Sequence, residues 1–203
     1  NYCGHTEVEY VDVVKKLTDV AIAFLEINIS CPDVKAGALA FGTDPVEVEK
    51  ITSLIKKNTD KPVVMKLTPN VTDIKEIAKA AEAGGADGIS LINTITGMKI
   101  NIERQTFVLA NKTGGLSGPA VHPIAVRMVY EASNAVKIPV IGMGGISTWQ
   151  DAVEMMLAGA SAVAVGAANF YNPNSTIDII DGIEKYMDDH GIEKIKDIVG
   201  AVH

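Results

Sequence analysis

The sequence predicts an α/β fold built on a buried parallel sheet, and three observations carry that prediction. Five apolar runs recur along the chain, each nearly continuous in Val, Ile, Leu, Ala or Met, which is the composition of strands covered on both faces. Amphipathic segments of helical spacing separate them, so strand and helix alternate. Glycine-rich turns, Gly142-Met-Gly-Gly-Ile146 and Val165-Gly-Ala-Ala-Asn169, follow the last two runs. The first two observations suit a doubly wound sheet or a barrel. The third selects the (β/α)8 TIM barrel, which holds phosphate after its last two strands. A closed barrel takes eight strands and about 250 residues. The 203 residues present therefore predict an incomplete one, a single partial domain over residues 1–203 that opens at Asn1-Tyr2 as though cut from within a fold.

Each element has a local signature. Thr6-Glu7-Val8-Glu9 has the spacing of a capping box and starts a helix to about Leu17. Ala21 to Ile29 is the first apolar strand. Pro32 donates no backbone hydrogen bond and biases Cys31 away from helix, so this strand opens into a loop. Asp44-Pro45 pairs a cap with a first-turn proline for a helix to about Lys57. Pro62 to Leu67 is a short strand, and the helix from about Asp73 that follows it is terminated by Gly84-Gly85. Gly88 to Ile92 is the next strand; a long polar and glycine-rich connection, Asn93 to Ala120, then leads to a helix from about Pro123 to Val136. Strand Ile138 to Gly142, a helix from Thr148 to Leu157 closed by Gly159, and strand Ser161 to Val165 complete the alternation.

Composition narrows the function. No stretch approaches the roughly 20 apolar residues of a membrane span, and no signal peptide opens the chain, so a soluble cytoplasmic protein with no membrane partner is expected. A formal charge of −7 without a dense Lys/Arg cluster argues against nucleic acid as a partner. Cys3 and Cys31 are the only cysteines and lie far apart, which suggests neither a disulfide framework nor a metal site.

The chemistry-bearing residues sit at strand ends. Asn28-Ile-Ser-Cys-Pro-Asp33 places an amide and a thiol just beyond an apolar run, and the C-terminal strand ends of a parallel barrel are where its reactions occur. A buried, inert thiol is the alternative reading of Cys31. Lys66 closes the apolar run Val63 to Leu67; it either snorkels to the rim or sets an ammonium against a developing anion. Asn93-Thr94 supplies neutral donors and acceptors after the next strand, or simply forms a turn. The two glycine motifs let backbone N–H groups and helix dipoles face an anion, or serve as turns. Together, Asn28, Cys31, Lys66, Asn93 and Thr94 would converge on one pocket.

These residues carry a family resemblance. Asn28-Ile-Ser-Cys-Pro, Ala40-Phe-Gly-Thr43, Lys66-Leu67, Ile92-Asn-Thr94, Gly114-Gly-Leu-Ser-Gly-Pro119 and Asn169-Phe170 together look like the catalytic subunit of class 1B dihydroorotate dehydrogenases, over about the last two-thirds, or last five strand–helix units, of that barrel. The resemblance implies oxidation of dihydroorotate to orotate in pyrimidine biosynthesis, with flavin mononucleotide (FMN) at the barrel mouth. Cys31 matches the family's catalytic base, taking a proton from C5 while hydride passes from C6 to the flavin, and Lys66 matches the lysine against the flavin ring. Asn28, Asp33, Asn93 and Thr94 match substrate-contacting positions. Asn1, Asn28, Lys66, Ile92, Gly118, Gly144, Gly145, Gly166 and Ala167 match flavin-binding positions. The resemblance also implies a partner subunit carrying FAD and a 2Fe-2S cluster that relays electrons to NAD, and a homodimeric core within a heterotetramer. Ala40-Phe-Gly-Thr43 and Gly114-Gly-Leu-Ser-Gly118 favour class 1B over the fumarate-linked class 1A.

Two positions depart from the family pattern. Asp33 stands where an asparagine is usual, replacing a donor with a carboxylate beside an anionic substrate, and Ala167 replaces a commoner threonine. Further strands, flavin contacts and the substrate loop would lie in the part of the family's barrel that this sequence does not contain. The isolated 203-residue chain is accordingly expected to expose a sheet edge, to be poorly stable and not to turn over dihydroorotate. Three competing readings are a flavin-dependent dihydropyrimidine dehydrogenase, a cofactor-free phosphate-binding barrel, and a catalytically silent fragment.

Overall fold

The computed structural model describes residues 1–4, 6–29 and 38–203. The element order is α1 (Glu7–Lys16), β1 (Leu25–Asn28), α2 (Ala38–Thr43), α3 (Pro45–Lys56), β2 (Val63–Lys66), α4 (Ile74–Ala83) and β3 (Gly88–Leu91), then four short strands, β4 (Ile95–Met98), β5 (Ile100–Asn101), β6 (Thr106–Phe107) and β7 (Thr113–Leu116). After these come α5 (His122–Ala135), β8 (Val140–Met143), α6 (Trp149–Leu157), β9 (Ala162–Ala164), α7 (Ala168–Tyr171) and α8 (Ser175–His190).

The five longer-range strands form one parallel sheet in the order β1-β2-β3-β8-β9, the arrangement expected of part of a (β/α)8 barrel. Side chains alternate across it with the period of two that strands impose. Leu25, Ile27, Val63, Met65, Ile89, Leu91 and Val140 point to the helices and are almost wholly buried with Ile51, Ile55, Ile77 and Met155. The opposite face carries Glu26, Asn28, Lys66 and Ser90, and the register sets Asn28 beside Lys66 and Lys66 beside Ser90. A single alternation therefore separates core from site. Gly142, on the helix-facing side, lets α6 approach: a Cβ there would lie 2.4 Å from Met155 Cγ.

The helix starts follow the signals in the sequence. Thr6, Asp44 and Asp73 accept from backbone N–H groups at the openings of α1, α3 and α4, and Thr148 with Asp151 forms a full capping box on α6.

Three differences from the sequence expectation have physical reasons. The first strand begins at Leu25 rather than Ala21, because its ladder starts only where Leu25 N–H reaches the carbonyl of Pro62; Ile22 and Phe24 remain exposed. The connection from Asn93 to Ala120 is not irregular. It folds into two antiparallel pairs, β4 with β7 and β5 with β6, which leave Ile102, Phe107 and Val108 exposed. The run after β9 enters the four-residue α7 and then the sixteen-residue α8, whose half-buried apolar stripe the sequence reading did not identify. On the far side of β1, Tyr2 makes a parallel bridge to Ile27, its N–H donating to Glu26 and its carbonyl accepting from Asn28.

Candidate active site

The sheet face opposite the core opens into a cavity of about 640 Å3, within the roughly 300–1,000 Å3 of small-molecule sites. Its lining joins Glu26, Lys66, Ile92, Asn93 and Thr94 at one side to Gly118, Gly144, Gly145, Gly166 and Ala167 at the other. Most flavin positions taken from the resemblance thus share one wall-to-wall space. Cys31 and Asp33 lie outside the described residues.

Asn28 is fixed from behind. Tyr10 of α1 is fully buried, and its hydroxyl donates to the Asn28 carbonyl at 2.7 Å. Burial, with the nearby Cys3 adding to it, pushes the Tyr10 phenol well above its usual range, so it remains a donor. Asn93 N–H donates to the Leu67 carbonyl, which locks the turn after β3 to the end of β2. The Asn93 side-chain oxygen accepts from Thr94 N–H at 2.9 Å, so its amide nitrogen is turned to Asn28 Oδ1 at 3.3 Å. The two asparagines meet across β2, beside Lys66.

Several residues of the site were not legible in the sequence. Glu26 looks like a lone charge inside an apolar strand. In the structure it lines the cavity, accepts from Ser90 Oγ at 2.7 Å and is joined by the Asn1 side-chain amide. Asn1 therefore reaches the site through Glu26. Asn70 ties β4 to the loop after β2, accepting from Thr96 N–H and donating to the Thr94 carbonyl. Phe170 and Tyr171 border the cavity while largely exposed. Only the inward-facing parity of Glu26 could have signalled its role, and that parity depends on a register set by neighbouring strands.

The glycine loops form a backbone cradle. Gly145 has φ +71°, and a Cβ on it would stand 2.8 Å from both the Gly118 carbonyl oxygen and His122 Cβ, so only glycine fits. At Gly166 a Cβ would meet nothing within 4 Å, which leaves the backbone open to the cavity. One expectation requires correction: α6 does not offer a bare N-terminus to an anion. The Asp151 carboxylate already accepts from Ser147 and Thr148 N–H at 2.9 and 2.8 Å. Burial pushes Asp151 up, but these N–H groups, Thr148 and His122 outweigh it and hold the carboxyl below its usual range. After β9, the four-residue α7 is likewise too short to contribute a substantial dipole. An anion seated in this cavity would meet the loop amides rather than a helix N-terminus.

These residues fit a flavin mononucleotide. The cavity has the volume, the cradle around Gly145 excludes side chains where backbone must approach phosphate, and Lys66 is the one basic side chain among the described lining residues.

Similarity to known proteins identifies the family. The family model described as Dihydroorotate dehydrogenase matches residues 1–187. Proteins named dihydroorotate dehydrogenase B (NAD(+)), catalytic subunit, from Lachnoclostridium phytofermentans and Alkaliphilus metalliredigens are each 58% identical over 202 residues. A protein of the same name from Geobacter sp. strain M21 is 51% identical over 203 residues. In all three the match covers 100% of this chain and 67% of the relative. Eimeria tenella dihydroorotate dehydrogenase, solved in complex with ferulenol, superposes with a TM-score of 0.82 at 24% identity, over 97% of this chain and 58% of that one; at that identity the likeness speaks for the fold. The cavity, its cradle and these matches lead to one conclusion: the chain belongs to the dihydroorotate dehydrogenase family.

Proposed function

We propose that the protein oxidises dihydroorotate to orotate in de novo pyrimidine biosynthesis, with Cys31 as base and FMN as the group that accepts hydride. The observation that carries this reading is that Lys66 and Asn93, the latter hydrogen-bonded to Asn28, line the same cavity as a glycine cradle. Bound FMN supplies the hydride acceptor. The chain's own residues do the rest. Asn28 and Asn93, each held by backbone contacts, orient the pyrimidine. Lys66 places positive charge where negative charge develops. Cys31, in the segment after Ile29, removes the C5 proton, and Asp33 and Thr94 complete the substrate contacts. Gly118, Gly144, Gly145, Gly166 and Ala167, with Ile92, would hold the flavin and its phosphate.

Electrons leave through a partner subunit carrying FAD and a 2Fe-2S cluster. A cluster takes four cysteines, and this sequence has two. Two catalytic chains form the core of the assembly, which works in the cytoplasm; no helix among the described residues is long and apolar enough to cross a membrane.

Anaerobic mixing of the full-length flavoprotein with dihydroorotate tests the reading. The flavin absorbance should bleach, and Cys31→Ser should slow bleaching by about 10²- to 10⁴-fold with FMN content unchanged. Competition by uracil in place of orotate would instead identify a dihydropyrimidine dehydrogenase, the substrate class that Asp33 would repel least.

A further inference from the structure

Behind the cradle lies a buried histidine that the proposed chemistry does not use. His122 opens α5 and is 7% exposed. Its Nδ1 lies 2.9 Å from the Gly144 carbonyl oxygen, and a carbonyl can only accept, so Nδ1 carries hydrogen and donates. On the other side of the ring, Nε2 lies 3.2 Å from Glu154 Oε2 and 3.8 Å from Asp151 Oδ1. Both ring nitrogens thus have oxygen partners, and the ring is held from two sides. His122 is also where three segments meet, because the Gly145 position packs against both the His122 backbone and the Gly118 carbonyl.

We propose that His122 is a positioning residue for phosphate binding: through Nδ1–H it holds the Gly144 carbonyl away from the cavity, so that the loop's N–H groups face the anion. Glu154, 3.2 Å from Nε2, braces the ring from its other side. This role matters here because Asp151 already occupies the α6 N-terminus, and Lys66 is the one basic side chain among the described residues of the cavity wall. The inference rests on the reading that this loop takes the flavin phosphate.

The test compares FMN with riboflavin, which lacks the phosphate, in the full-length protein stripped of flavin and titrated by fluorescence quenching. His122→Leu should weaken FMN binding about tenfold or more while moving riboflavin by less than about twofold. His122→Asn, whose amide can donate from the position of Nδ1, should restore most of the FMN affinity. Glu154→Gln, at a largely exposed side chain, keeps the protein folded whatever His122→Leu does, and should lower FMN affinity about threefold with riboflavin unmoved. Equal losses for both flavins, or no loss for either, would overturn the proposal. If the unaltered protein itself binds FMN no more tightly than riboflavin, the phosphate reading of the loop fails, and the role of His122 fails with it; that outcome is distinct because it appears before any substitution.

Discussion

Lys66 illustrates how one residue joins fold to chemistry. Its neighbours Val63, Val64 and Met65 are buried, and its own side chain reaches the cavity because position 66 has the same parity as the half-buried Asn28 and the buried Ser90 in register with it. Removing the ammonium leaves the strand intact, since the ladder is backbone. Lys66→Ala is therefore expected to leave melting temperature nearly unchanged and to slow flavin reduction by about 10²- to 10³-fold, the usual cost of deleting a preorganised stabilising charge or donor, read by stopped-flow absorbance. A rate within tenfold of the unaltered enzyme would place the ammonium away from the reacting atoms. In the sequence Lys66 was visible as a charge closing an apolar run, whereas Glu26 was not singled out, because its partners Ser90 and Asn1 are distant along the chain.

At the scale of the element, the capping box of α6 has two duties. Asp151 closes the helix start through Ser147 and Thr148 N–H, and it also fixes the exit of the loop that carries Gly144 and Gly145. Asp151→Ala is expected to cost about 1–2 kcal/mol of stability, measured by urea denaturation. The same group predicts a pH dependence. Its carboxyl titrates below the ordinary value when folded, so its stabilisation is present above the unfolded-state value near 4 and is lost as pH falls through the lower folded value. Asp87 acts in the same sense: burial raises its carboxyl, but the Lys56 ammonium and Val63 N–H outweigh burial and lower it. Because its side chain is 45% exposed, solvent screens its share. Acid unfolding should therefore become shallower in Asp151→Ala as pH falls below about 4. An unchanged slope would show that the cap is not coupled to folding. The box was readable as Thr148 preceding a helical pattern, but its conflict with anion binding was not, since that depends on where the Asp151 carboxylate turns.

For the whole molecule, the sheet is open among the described residues: β9 has β8 on one side only, and Ala162 is exposed where a buried strand residue was expected. The cavity draws on β1, β2, β8, β9 and the loops between them, so a ligand seated there bridges elements far apart in sequence. Saturating FMN, at about a hundred times its dissociation constant, is expected to stabilise the full-length protein by about 2.7 kcal/mol. That amounts to a rise in melting temperature of roughly 5–10 °C, with riboflavin giving less. Calorimetry that finds no shift with FMN would remove the flavin from this cavity.

The sequence by itself determined the alternation of strands and helices, the parallel sheet and the residues at strand ends, because burial and capping are local and periodic. It also carried the family, through Asn28, Lys66, Asn93 and the glycine loops. Only tertiary packing makes Tyr10 hold Asn28, brings Glu26 into the cavity and sets His122 beneath the cradle. Each of these is a contact between segments distant along the chain. No local spacing encodes such a contact; it exists only once the register of the sheet and the packing of the helices have fixed which side chains meet.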